Sequence, residues 1–375
     1  SSVTYTIAFN SFKESASAIE LTRAAAQAIR KEDRKAVIHA VPIADGGDGT
    51  VEALVAACKG RIVQARTVDP LFRKMTASYG MLPGGTAVIE MAKASGLALL
   101  RREERDPLRT TTLGTGMLIM DAVKRGAKTI IVGIGGSATT DAGLGVASAL
   151  GYRLLDNAGN DVSPTGAGLS TLARILPPRE RITVKVIIAS DVKNMLYGKN
   201  GAAYIYAPQK GASPDTVKAL DKGLINAAKV IKRDLGIDVH SLKGGGAAGG
   251  LGAGLAAFAG GVMQSGIDMV LSQSGIEEKI QASDIVFTGE GAVDAQTVFG
   301  KAPHGVAVFC KKHGVPCIII AGAVRDGAES LYKHGVTALF SIAPGPVTLE
   351  DSMKHTLNYT SRTVEAIVRM IRDVR

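Results

Sequence analysis

The segment TIIVGIGGSATTDAG, Thr129 to Gly143, decides the fold class. Ile130 to Val132 form an unbroken apolar run, glycines follow at once, and a polar stretch leads into an Ala/Leu-rich helix. An unbroken apolar strand is covered on both faces, as in a parallel sheet. Glycines after such a strand leave main-chain N–H groups free, and a helix start adds partial positive charge, so the arrangement suits a phosphate. The same alternation runs outward in both directions. TYTIAF (4–9), AVIHAV (36–41), VKVIIAS (184–190), DIVFTG (284–289) and CIIIAG (317–322) read as strands. Residues 15–30, 50–58, 303–313 and 350–373 read as helices. The fold class is therefore α/β with mostly parallel sheets. Only 61–70, 75–82 and 86–92 lie close enough together to read as a meander.

Composition narrows the function. The chain has 375 residues, enough for two domains, with 46% apolar residues, 21% charged residues and 45 glycines. Its net charge of +10 is scattered in pairs such as Arg101-Arg102 and Lys311-Lys312. No basic block interleaves with aromatic residues, so an anionic small molecule is expected rather than nucleic acid. Cys58, Cys310 and Cys317 form no close pair, which points to reduced thiols and a cytoplasmic location. Thr4 to Asn10 reads as a strand with no charged segment before it, so no signal peptide is expected. Gly244 to Ile267 carries no charge but is too glycine-rich to span a membrane, and its Gly250-x-x-x-Gly254 reads as tight packing.

The glycine loops admit two chemistries. Gly133 to Ala138 fits GxGxxA after a strand, with Asp156 near the ribose-binding position of a dinucleotide fold. An NAD(P)-dependent oxidoreductase is thus the alternative function. Against it, Asp141 would repel a pyrophosphate, and Asp156-Asn-Ala-Gly159 looks like a hairpin turn. GxxxxGK[ST] occurs nowhere. Three further glycine-dense segments follow: IADGGDGT (43–50), GGGAAGGLGAG (244–254) and TGEGAVDAQTVFGKAP (288–303). Loops at the C-terminal ends of parallel strands converge, and carboxylates, glycines and lysines together suit a phosphate donor bound with Mg²⁺.

At these residues the chain resembles the bacterial type I glycerate kinases. The resemblance is carried by SFKESASAIE, PIADGGDGTVEAL, IEMAKASGL, TTLGTGMLI, GIGGSATTDAG, SDVKN, APQKGA, GGGAAGGLGAG and TGEGAVDAQTVFGKAP, in that order. It implies ATP-dependent phosphorylation of D-glycerate, typically to 2-phosphoglycerate, with Mg²⁺. It also implies a discontinuous Rossmann-like α/β domain, placed at 1–62 plus 283–375, with an α/β domain inserted at 63–282 and the reaction in a cleft between them. A homodimer is possible. Phe9-Asn10 stand where the family usually has Pro-Asp, Ser190 replaces a common Cys, Thr140 a common Asn and Asp48 a common Glu.

Roles follow from that resemblance and from residue chemistry. Asp191 is expected to take the proton of the attacking hydroxyl, with Asp45 the second choice and Lys13 supplying positive charge. Ser11, Gly46, Gly47 and Asn194 are expected to bind substrate. Gly135, Gly136, Ser137, Gly249, Gly250 and Lys301 are expected at the phosphates. Asp294, Glu290 and Asp141 are expected as metal ligands. The structural alternatives are ordinary ones: a capping box at Ser11–Glu14, Asx turns at the aspartates, a cap at Thr140 or Asp141, and a packing role for His304.

Overall fold

The structure, a computed structural model, describes residues 2–375. The chain divides into two compact units, an outer one of the residues up to Gly60 together with Ile267–Arg375, and an inserted one of Arg61–Gly266. The junctions at 60/61 and 266/267 compare with 62/63 and 282/283 in the sequence reading. The second differs because helices Gly266–Ser274 and Ile276–Gln281 group with the outer unit. Among the described residues no helix is long and apolar enough to cross a membrane.

The outer unit is built on a five-stranded sheet with the spatial order Ala338–Ser341, Cys317–Ala321, Ile285–Gly289, Thr4–Phe9, Val37–Ala40. Every pairing is parallel. Numbered along this unit the order is 2-1-3-4-5, a doubly wound arrangement whose direction of winding reverses between the first strand and the third. The central strands are mostly apolar because they are buried on both faces, with Thr6 and Thr288 the polar exceptions. Ile7, Phe9, Phe287 and Ile320 are fully buried in one cluster with Leu21 and Ile29 of helix Ala18–Glu32 and Val364 and Val368 of helix Thr356–Val374. Helix Ala18–Glu32 starts on a capping box of Ser17 and Glu20. The box is not at Ser11–Glu14, where the chain instead makes a turn with Glu14 at φ 63°.

The inserted unit has a six-stranded sheet ordered Val262–Gln264, Lys185–Ala189, Thr129–Gly133, Thr86–Glu90, Lys74–Leu82, Arg61–Val68. The first four strands are mutually parallel, and the last three form the antiparallel meander. Alternation in Arg61–Val68, with Val63, Ala65 and Thr67 buried and Arg61, Gln64 and Arg66 exposed, is the half-covered pattern such a strand requires. Because these four strands run in parallel, the segments after Glu90, Gly133, Ala189 and Gln264 emerge at the same edge.

Candidate functional site

In the outer unit the winding reverses between two strands that end at Phe9 and Gly289, directly opposite each other in register. In such sheets ligands bind outside the carboxyl ends of the strands at the reversal. The next residues are Asn10 and Glu290. Asn10 is only 6% exposed. Its Nδ2 donates to Glu290 Oε1 at 3.0 Å and its Oδ1 accepts from the Ser11 amide at 2.9 Å. Glu290 Oε2 is buried and has no partner among the described residues. Burial pushes the Glu290 carboxyl above its ordinary range; Asn10, Lys301 and Lys13 pull it down, and Asp45 adds to the rise. Beside this pair lies a cavity of about 340 Å³ lined by Ser11, Lys13, Glu290, Gly291, Lys301 and Arg325 among others. Lys13, Lys301 and Arg325 thus line one cavity with the half-buried Glu290 carboxylate.

The neighbouring expected residues are less open. Asp45 is exposed, but its Oδ1 accepts from the Gly47 amide at 3.0 Å, an Asx turn that also fixes Gly46 at φ 94°. Asp294 caps the short helix Ala295–Val298, its Oδ1 accepting from Gln296 N at 2.8 Å. Lys301 stands at the start of helix Ala302–His313, and its side chain is exposed. His304 packs against His334 at 3.3 Å.

In the inserted unit the loop after Gly133 holds Gly135 and Gly136 exposed at the sheet edge, with Gly136 at φ 74°. The amides of Gly135, Gly136 and Ser137 make no hydrogen bond among the described residues. No helix starts at these glycines; the next one, Leu144–Ala149, begins only after Gly143. The dinucleotide fingerprint needs the helix to open on the glycines, so this loop does not form it. Asp156 likewise sits in a hairpin turn, its Oδ1 accepting from Ala158 N and Asn160 N, both at 2.9 Å.

Two expectations for this unit are corrected. Asp141 is fully buried and accepts four hydrogen bonds, from Thr112 N, Thr112 Oγ1, Gly143 N and Gly145 N. Burial raises its carboxyl above the usual range and the four donors oppose that rise. Since every partner donates, the ionised carboxylate is the form that fits, and its complete burial among these donors leaves it no open side on which to take a metal. It joins the start of helix Leu113–Lys124 to the start of Leu144–Ala149. Gly249 and Gly250 are buried rather than presented to a ligand. A Cβ on Gly249 would meet Thr139 O at 1.8 Å, and one on Gly250 would meet Ala142 Cα at 2.9 Å. They let helix Ala247–Ala259 seat against the back of the loop, as does Gly254 against Ala142 O.

Asp191 follows strand Lys185–Ala189, exposed, with Oδ1 accepting from Gly266 N at 3.2 Å. Asn194 is occupied within the protein, donating from Nδ2 to Asn200 O at 2.8 Å and accepting from Tyr206 Oη at 2.9 Å. Two residues were missed. Arg325 enters the cavity of the outer unit with nothing in its sequence surroundings to distinguish it. Lys210 is 2% exposed, and its Nζ donates to Ser137 Oγ at 2.7 Å and to Thr139 O at 2.6 Å. Burial pushes its ammonium down to about 7, against the pull of Asp141. The signal was available, because Lys210 is the single ionisable residue in the block APQKGA. Among the described residues, no group of three or more His, Cys, Asp or Glu side chains could hold a metal ion.

Known proteins resemble the chain over nearly its whole length. The model of the Glycerate kinase family matches residues 5–372. The glycerate kinase of Bacillus subtilis (strain 168) is 45% identical over 98% of this chain and 97% of its own length. The glycerate 2-kinase of Escherichia coli (strain K12) is 46% identical over 93% of this chain and 92% of its own. A solved structure from Salmonella typhimurium LT2, provisionally named glycerate kinase 2, superposes with a TM-score of 0.90 at 43% identity, covering 100% of this chain and 99% of that one.

Proposed function

The chain belongs to the glycerate kinase family, and from that premise we propose that it transfers the γ-phosphoryl group of ATP to the 2-hydroxyl of D-glycerate. The observation that carries the acceptor half is the cation-lined cavity at the winding reversal of the outer sheet, with the unpartnered Glu290 oxygen in its wall. Glycerate is a small anion with two hydroxyls. Lys13, Lys301 and Arg325 offer charge to its carboxylate, and Glu290 Oε2 offers an acceptor to a hydroxyl. The donor half rests on the free amides of Gly135, Gly136 and Ser137, which suit phosphate oxygens.

In the transfer the glycerate oxygen bonds to the γ-phosphorus while the bond to the β–γ bridging oxygen breaks, ADP leaves, and the hydroxyl proton passes to a carboxylate. Asp191, exposed and held by a single amide, is our candidate for that base, and Asp45 the second. Mg²⁺, when bound with ATP, neutralises phosphate charge. Such an ion takes one or two carboxylates plus phosphates and water, and of the expected ligands Glu290 and Asp294 fit that need whereas Asp141 does not. The NAD(P) alternative lacks support, since the loop and Asp156 both have other geometry.

The test is direct. Purified protein incubated with D-glycerate, ATP and Mg²⁺ should release ADP, and phosphorus–proton coupling in the product should place the phosphate on C2. A product carrying it on C3, or no ADP, defeats the reading. Asp191→Asn should lower kcat by roughly 10²–10⁴, the range for a lost general base, without changing the fold.

A further inference from the structure

Lys210 is buried beneath the glycine loop, on the short helix Pro208–Lys210, and has no place in the reaction as described. Its hydrogen bonds have a polarity that constrains the loop. In its protonated form, the one held below about pH 7, Lys210 only donates. Ser137 Oγ therefore accepts from Lys210 Nζ at 2.7 Å, and Thr139 O accepts at 2.6 Å. Ser137 is itself 8% exposed, and its hydroxyl has no other partner among the described residues. With the lysine filling one of its acceptor positions, the hydroxyl proton must point away from Lys210. The adjoining amides of Gly135, Gly136 and Ser137 are likewise unpaired among the described residues. Two further buried hydroxyls in the same segment, Thr139 Oγ1 and Thr140 Oγ1, are also unpartnered. Buried polar atoms without partners are uncommon and call for an explanation. A segment with three unused amides, a hydroxyl proton not taken up by Lys210 and a buried cation behind it is suited to meet an anion.

We propose that Lys210 is a positioning residue for the phosphoryl donor: it fixes Ser137 as a hydrogen-bond donor to a phosphate oxygen and places positive charge directly behind that contact. The proposal rests on the reading of this loop as the phosphate-binding element. Lys210 touches Ser137 and the chain, and reaches the ligand through them. Asp141, which acts on Lys210 electrostatically, keeps the buried charge compensated. The arrangement is specific to this unit, because no member of it lines the cavity of the outer one.

The experiment is a double-mutant cycle on the full chain, using Ser137→Ala, Lys210→Met and the two combined. Dissociation constants for ATP and for inorganic pyrophosphate would be measured by calorimetry, and KM for D-glycerate by steady-state kinetics. Each single change should weaken ATP and pyrophosphate by about tenfold, the scale of one hydrogen bond to a charged group, while KM for glycerate stays within about twofold. The double variant should lose clearly less ATP affinity than the product of the two single losses, because part of the effect of Lys210 runs through the Ser137 hydroxyl. Lys210→Gln, which keeps an N–H donor, should recover part of the affinity; it also replaces Lys210→Met in the cycle if that variant does not fold. Losses that multiply in the double variant, unchanged donor affinity in the singles, or a parallel rise in the KM of glycerate would each overturn the proposal. If the wild-type protein binds pyrophosphate but not ATP, the choice of donor fails and the role of Lys210 stands. If it binds neither, both fall.

Discussion

Asp141 shows how much a single carboxylate can carry. It satisfies amides at the start of two helices and compensates a buried lysine, without exposure to solvent. Asp141→Asn should therefore destabilise the protein by about 3 kcal/mol or more, as expected when one partner of a buried charged network is removed, read as a lower urea midpoint. Lys210 makes a pH prediction of definite sign. In the unfolded chain its amine holds a proton up to the ordinary 10.5, whereas in the folded protein it releases it near 7. Folding then expels a proton between those values, so this residue makes stability rise as pH climbs through that window. Urea midpoints measured from pH 7 to 10 should rise less steeply in Lys210→Met than in the wild type. Neither behaviour was legible from the sequence beyond residue type. Asp141 was visible as a first-turn carboxylate, but half of its donors come from Thr112, 29 positions away. Asn10 is similar: it could be seen as a departure, while the hydrogen bond its Nδ2 donates to Glu290 needed both strands in place.

Elements were more readable than side chains, because an unbroken apolar run has few explanations. The strands at 4–9, 184–190, 284–289 and 317–322 all recur as buried parallel strands within a residue or two. The glycine segments were harder, since a glycine that admits a ligand and one that admits a neighbouring backbone look alike in sequence. The structure separates them, and two substitutions test the separation. A methyl group on Gly135 would meet nothing within 4 Å, so Gly135→Ala should leave the melting temperature near that of the wild type while weakening ATP, by calorimetry. Gly249 has φ +65° and its methyl would press on Thr139 O at 1.8 Å. Gly249→Ala should cost about 2–4 kcal/mol through overpacking and left-handed strain, visible in thermal unfolding before any assay of activity.

At the scale of the molecule, the net charge of +10 bears on how fast an anionic acceptor or donor is captured. Association steered by charge is screened over about 10 Å at 0.1 M salt. Accordingly kcat/KM for D-glycerate should fall severalfold between low and 0.5 M potassium chloride, with kcat less affected; an unchanged ratio would show that the excess charge is idle surface. The outer sheet has a different consequence. Its strand Thr4–Phe9 lies between Val37–Ala40 and Ile285–Gly289, and the second of these neighbours is synthesised some 280 positions later. At 5–20 residues per second, a ribosome needs roughly 15–60 s to supply it, by which time the whole inserted unit has been synthesised. The nascent strand Thr4–Phe9 must wait half-paired throughout. Yet the two chain ends lie together, because Asp284 accepts from Thr4 N at 2.8 Å and pairs with Arg375 at 3.9 Å. A circular permutant opened at 266/267 would make the outer unit contiguous in translation and abolish the wait.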